Sequence, residues 1–195
     1  MKVGVLALQG AFAEHMITLR QLGVETVEVR LPAQLEDLDG LIIPGGESTA
    51  IGKLATTYHL IEPLRRLSQD RPIWGTCAGA IFLSKDARHE QSLLNVMDIT
   101  IERNAFGRQA DSFETDLIIP VLENPDKPYR AIFIRAPVIK SVGEGVDVIA
   151  RLPEGREDEG RIVAAQQGHL LATSFHPELT GDERFHRYFL SLAKG

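Results

Sequence analysis

Apolar residues in this chain fall into short runs, and the stretches between them alternate in character. Val3 to Leu8 is an apolar run that stops at Gln9-Gly10 and predicts a first strand. From Ala11 to Leu22, Phe12, Ile17 and Leu19 recur among polar residues, which predicts a helix. Thr26–Arg30, Leu41–Ile43 and the run around Ile73 read as strands, and Thr49 to Ser68 as a helical region. A further helix is expected from Ala78 to Ala87.

After that the pattern changes. Ile99–Glu102, Phe113–Ile119, Ala131–Ile134, Val146–Arg151, Ile162–Ala165 and Leu170–Phe175 read as strands with few helices between them. Asp182 to Leu192 closes the chain as an amphipathic helix. Alternating strands and helices followed by a meander of strands predict an α/β fold. Its central sheet is mostly parallel with helices on both faces, and a small antiparallel β addition follows. A length of 195 residues suits one domain, expected over 1–195.

Composition narrows the functional classes. A formal net charge of −6 argues against nucleic acid as the main partner. A single cysteine rules out an internal disulfide framework and fits a reducing compartment, hence the cytoplasm. The first apolar run is too short for the core of a signal peptide, and no stretch approaches membrane-spanning length.

That one cysteine carries the chemistry. Cys77 stands in Gly75-Thr76-Cys77-Ala78-Gly79, between a predicted strand and a predicted helix. A strand that turns at once into a helix crowds its bend, so close neighbours must lack a Cβ. The two glycines occupy the positions that a nucleophile elbow requires, and the start of a helix favours a thiolate. A lone cysteine is otherwise a small buried apolar residue, so the reading depends on a base.

His15, His59, His89, His169, His176 and His186 are the candidates. His176 is the best placed, because it ends a predicted strand and is followed by Pro177-Glu178. In extended chain His176 and Glu178 share a side, so the carboxylate can hold one ring N–H and leave the other nitrogen to take a thiol proton. For an oxyanion, the Ala78 N–H follows the nucleophile, and Pro44-Gly45-Gly46-Glu47-Ser48 offers a second donor from a peptide that glycines allow to flip. The same loop also reads as an ordinary turn or an anion cradle. Glu102 to Gln109 and Phe133-Ile134-Arg135-Ala136-Pro137 are polar clusters that suit either a carboxylate ligand or a structural turn.

Together these strings resemble the class I (triad) glutamine amidotransferases. Within them, the chain is most similar to the glutaminase subunits of pyridoxal 5′-phosphate synthase. The likeness rests on Leu8-Gln9-Gly10, Pro44 to Thr49, the Cys77 elbow, Glu102-Arg103-Asn104, Phe106-Gly107-Arg108-Gln109, Phe133 to Pro137 and Phe175-His176-Pro177-Glu178. Many members of the wider class carry Gln four residues after the nucleophile, where this chain has Ile81. That disfavours the anthranilate, carbamoyl phosphate and guanylate branches.

The resemblance implies a flavodoxin-like sheet, with Cys77 as nucleophile, His176 as base and Glu178 as its orienter. It places Gly46, Glu47, Ser48, Arg103, Ile134 and Arg135 around L-glutamine, and gives the oxyanion to Gly46 and Ala78. It implies no cofactor and no metal. It also implies a (β/α)₈-barrel synthase as partner, in a dodecamer of heterodimers. Two rival readings remain at this stage: a stand-alone cysteine hydrolase or peptidase, and a non-catalytic anion-binding module.

Overall fold

The computed structural model describes residues 1–103 and 112–193. The chain begins with β1 (Lys2–Leu6), α1 (Phe12–Gln21), β2 (Glu25–Val29), β3 (Gly40–Ile43), α2 (Ser48–Thr57), α3 (Ile61–Asp70), β4 (Ile73–Thr76) and α4 (Ala78–Leu83). Strands then dominate: β5 (Ser84–Asp86), β6 (Met97–Glu102), β7 (Ser112–Leu117), β8 (Tyr129–Ile134), β9 (Val138–Val142), β10 (Asp147–Arg151), β11 (Ile162–Gln167) and β12 (Leu170–Thr173). A 3₁₀ turn at Pro177–Leu179 leads to α5 (Arg184–Leu192).

The main sheet runs β2-β1-β3-β4-β12-β11-β9-β6-β5, with β10 added beside β11. From β2 to β12 every pairing is parallel, and the strands lie in the spatial order 2-1-3-4-5 of a flavodoxin-like sheet. Beyond β12 the sheet continues antiparallel through β11, β9 and β6. β7 and β8 form a separate antiparallel pair. The expected α/β architecture is present, although the antiparallel part extends the main sheet as well as forming the separate pair.

Strand alternation divides the core in two. Leu41, Ile43, Ile73, Leu170 and Ala172 face one side, with Ile51 of α2, Leu64 of α3 and Phe82 of α4. Val3, Val5, Ile42, Trp74 and Leu171 face the other, with Met16 and Leu19 of α1 and Phe185 and Phe189 of α5. Both faces of the parallel strands are thus covered, which is why these strands read as unbroken apolar runs. Trp74 is fully buried between the sheet and α5, with its ring 6.0 Å from Phe185 and 5.7 Å from Phe189.

Three local expectations need correction. The single helical region over 49–68 is two helices, because His59 adopts φ 57° and turns the chain between them. The helix after Cys77 ends at Leu83 rather than Ala87, since Ser84–Asp86 pairs with β6 as an edge strand. β9 was not foreseen: its Lys140 and Ser141 face outward, and it is a strand because β6 and β11 flank it. Tertiary pairing overrides local pattern at such positions.

Phe189→Ala is expected to cost about 3–5 kcal/mol of unfolding free energy, the usual range for emptying a fully buried aromatic site. Urea unfolding followed by Trp74 fluorescence would measure it, with a lower midpoint and an unchanged slope.

Candidate functional site

The carboxyl ends of β1, β3, β4 and β12 meet at one edge of the parallel sheet, where ligand crevices of open α/β sheets form. β4 runs into Cys77, which has φ 49° and ψ −107°. A left-handed backbone is costly for a residue with a Cβ, so the bend must be held by its surroundings. The Cys77 N–H donates to the Thr173 carbonyl of β12 at 2.8 Å. Gly75 and Gly79 make the close packing possible. A methyl group on Gly79 would lie 1.9 Å from the Ile43 carbonyl oxygen, and one on Gly75 would lie 2.5 Å from the Gly79 backbone.

His176 arrives by the neighbouring strand, with its N–H donating to the Ile132 carbonyl of β8 at 2.8 Å. Its Nδ1 is 2.7 Å from Glu178 Oε1. The two meet through a 3₁₀ turn, not through the extended chain expected from sequence. Proline at the first position of that turn is already set for helical φ, and His176 caps it. With Nδ1 engaged, Nε2 is the ring atom left to reach Cys77, whose side chain is near enough to help raise the His176 pKa. Gly45 leaves room for the pair: a methyl group there would lie 2.6 Å from His176 Cε1 and 3.3 Å from Cys77 Cβ.

Burial works to lower the His176 pKa, but the hydrogen bonds and charges of Cys77 and Glu178 outweigh it and push it up to about 10. The site is therefore built to keep an imidazolium beside the sulfur. The Ala78 N–H, at the first position of α4, has no intrahelical acceptor and stands directly after the nucleophile candidate.

A cleft of about 420 Å³ opens over the sulfur, a size suited to a small ligand. It is lined by Cys77, Ala78, Ile81 and His176, and by every expected ligand-binding residue: Gly46, Glu47, Ser48, Arg103, Ile134 and Arg135. Glu47 caps α2, accepting the Thr49 and Ala50 N–H groups at 2.9 and 2.8 Å. Arg103 reaches Glu47 at 3.2 Å and Thr49 Oγ1 at 3.3 Å. Burial works to raise the Glu47 pKa, but these N–H groups, the Thr49 hydroxyl and Arg103 together outweigh it and bring it below the usual range. Arg135, with φ 42°, closes the far side just after β8. Of the polar cluster starting at Glu102, the part Asn104, Phe106, Gly107, Arg108 and Gln109 lies outside the described residues.

Gln9 is a lining residue that sequence reasoning gave no role. Its Oε1 accepts the Glu47 N–H at 2.7 Å and would lie 2.2 Å from a methyl group on Gly46. The Gly45 carbonyl accepts the Ala11 N–H at 3.0 Å, so the loop after β1 orients the Gly45–Gly46 peptide. The signal was the abrupt end of the first apolar run at Gln9-Gly10. Among the other histidines, His59 and His89 are exposed and His169 bonds the Ser68 carbonyl, whereas His15 and His186 are buried behind Glu178.

The raised His176 pKa ties this pair to stability. An imidazole titrates near 6.5 in an unfolded chain. The contribution is therefore complete below about pH 6.5 and lost as pH rises toward 10. In Glu178→Gln one of the supports is gone, so the fall in melting temperature between pH 6.5 and 10 is expected to be shallower than in the wild type. Calorimetry across that range would show it; parallel curves would contradict it.

Residues 5–194 match the SNO glutamine amidotransferase family. A protein of Herpetosiphon aurantiacus named pyridoxal 5′-phosphate synthase subunit PdxT is 59% identical, over 98% of this chain and 100% of that protein. A protein of Roseiflexus sp. (strain RS-1) with the same name is 56% identical, over 98% and 100%. A crystal structure described as a glutamine amidotransferase superposes with a TM-score of 0.90 at 50% identity, over 99% of both chains.

Proposed function

Because the chain belongs to the SNO glutamine amidotransferase family, we propose that it is a glutaminase in which Cys77, His176 and Glu178 hydrolyse L-glutamine to L-glutamate and ammonia. The observation that carries this reading is the grouping of Cys77 and His176 in one cleft, with His176 Nδ1 hydrogen-bonded to Glu178.

The reaction follows from that geometry. His176 holds the Cys77 proton, and the sulfur attacks the side-chain amide carbon of glutamine. The carbonyl oxygen becomes an oxyanion, held by the Ala78 N–H and by the Gly46 N–H. The imidazolium gives its proton to the amide nitrogen, the C–N bond breaks, and ammonia leaves. A γ-glutamyl thioester remains on Cys77. Neutral His176 then draws a proton from water, whose oxygen attacks the thioester, and glutamate and the free thiol are restored. Glu178 keeps the imidazole in the required tautomer throughout. Glu47, Ser48, Arg103, Ile134 and Arg135 hold the amino acid end of the substrate, and Arg103 supplies a cation for its carboxylate.

The name of the close relatives supports a role in making pyridoxal 5′-phosphate. In this reading ammonia passes to a (β/α)₈-barrel synthase, which joins it to a pentose phosphate and a triose phosphate. The assembly is a dodecamer of heterodimers in the cytoplasm, with residues 1–195 acting as one amidotransferase domain. Among the described residues no helix is long and apolar enough to cross a membrane. Docking has a physical route to the chemistry. The Gly45 carbonyl is tied to Ala11, and glycine on both sides permits the peptide to turn its N–H to the oxyanion once that tie is released.

Cys77→Ala is expected to abolish ammonia release from glutamine, measured with the synthase present, while leaving the melting temperature nearly unchanged. The wild-type chain alone is expected to be slower than the complex. Ammonia release by Cys77→Ala at the wild-type rate would overturn the nucleophile. Equal rates for the free and docked wild-type chain would overturn the docking switch.

A further inference from the structure

Behind Glu178 lies a buried polar series that the reaction above does not use. His15 on α1 and His186 on α5 are both fully buried. His15 Nε2 lies 3.4 Å from Glu178 Oε2 and 3.3 Å from Thr76 Oγ1. His15 Nδ1 lies 3.1 Å from His186 Nε2. Trp74 packs edge-on against both rings, with centroids at 5.6 Å from His15 and 5.0 Å from His186. Resting on the glutaminase reading, we propose that His15 is a positioning residue for the Cys77–His176 pair: its Nε2–H holds the second oxygen of Glu178, and His186 selects the tautomer that makes this donor available.

Glu178 Oε1 is taken by His176, and the Glu178 side chain is cut off from solvent. Its Oε2 has no hydrogen-bond partner among the described residues, a buried carboxylate oxygen needs one, and His15 Nε2 stands 3.4 Å away, within reach of a small adjustment. Burial drives the His15 pKa well below its usual value, and the neighbouring His186 and His176 add to this. Burial also lowers the His186 pKa, to about 4. Both rings are therefore neutral, and each carries one N–H.

Only one arrangement gives both protons an acceptor. His186 Nε2–H donates to His15 Nδ1, and His15 Nε2–H donates to Thr76 Oγ1 with Glu178 Oε2 beside it at 3.4 Å. It leaves one lone pair bare, on His186 Nδ1, which has no partner among the described residues. The reverse arrangement leaves a buried N–H with no acceptor there and turns a His15 lone pair toward the carboxylate. An orphaned buried donor is the rarer and costlier of the two defects.

The consequence reaches the sulfur through Glu178. With Oε2 held, Oε1 stays on His176 Nδ1. Without a donor at Oε2 the carboxylate loses its fixed orientation, and His176 loses one of its two supports. The ionisable groups that act on His176 directly are Cys77 from the β4–α4 bend, Glu178 from its own turn and His15 from α1, while Glu47, Arg103 and Arg135 share its cleft. His186 acts through His15, and Tyr129 of β8 interacts electrostatically with Glu178.

Three variants test this. His15→Leu removes the donor while filling the space. In His15→Gln the amide nitrogen can reach the place of ring Nε2, and in His15→Asn it reaches only that of Nδ1. The first readout is the His176 titration in the free chain, followed by NMR, which needs no glutaminase activity. The midpoint is expected to fall by about one unit or more in the Leu and Asn variants and to hold in Gln. The second is ammonia release with the synthase present. Turnover is expected to fall about tenfold to hundredfold in Leu and Asn with KM nearly constant, and to recover in Gln.

A wild-type titration and turnover in His15→Leu would overturn the proposal, as would Gln and Asn variants that behave alike. If the Leu variant fails to fold, the contrast between Gln and Asn still decides. Should the wild type itself release no ammonia, the glutaminase reading fails, while the titration still tests the role of His15.

Discussion

The parallel pairing of β4 with β12 is the constraint on which the rest of this site depends. Thr76 lies opposite Thr173, and the ladder ends with the Cys77 N–H on the Thr173 carbonyl. Two segments far apart in the chain thereby finish side by side, one with a sulfur and the other with an imidazole. Parallel strands require crossover connections, and here α4 and the strands from β5 to β11 make up the chain between them. No local interaction could bring Cys77 and His176 together.

Strain and close packing sharpen that arrangement. Cys77 sits in a backbone conformation that an isolated residue would leave, and it is held there by the ladder below and by α4 above. The glycines around it mark places where backbone meets backbone: Gly79 against Ile43, Gly75 against Gly79, and Gly10 against the Gly45 carbonyl. The bend, the Gly45–Gly46 loop and the loop after β1 are consequently one packed unit. The Ala11 and Gln9 hydrogen bonds tie the loop after β1 to the Gly45–Gly46 peptide and to Glu47.

Electrostatics completes the site by contrast. His176 borders the cleft and is pushed toward its charged form by its two partners, whereas His15 and His186 lie deeper and are driven toward neutrality by burial. The same side chain is thus held near its charged form at the cleft and neutral behind it. Depth in the fold makes the difference, since desolvation penalises charge most where no counter-charge is close.

Much of this was legible in the residues. Alternating apolar runs determined an α/β sheet. The Gly75–Gly79 string announced a strained bend, because only glycine tolerates backbone contact at both flanks. The Pro177 between His176 and Glu178 already restricted how those two could meet, although it makes a 3₁₀ turn rather than extended chain. What only the tertiary structure decided are the partners that share no local pattern. These are the register that joins Cys77 to β12, the strand Val138–Val142, the hold of Gln9 on Glu47, and the depth at which His15 and His186 stand behind Glu178. The physical reason is common to all four. Periodicity and turn chemistry act over a few neighbouring residues, whereas register, burial and the tautomer of a ring are set by groups that the folded sheet brings in from elsewhere.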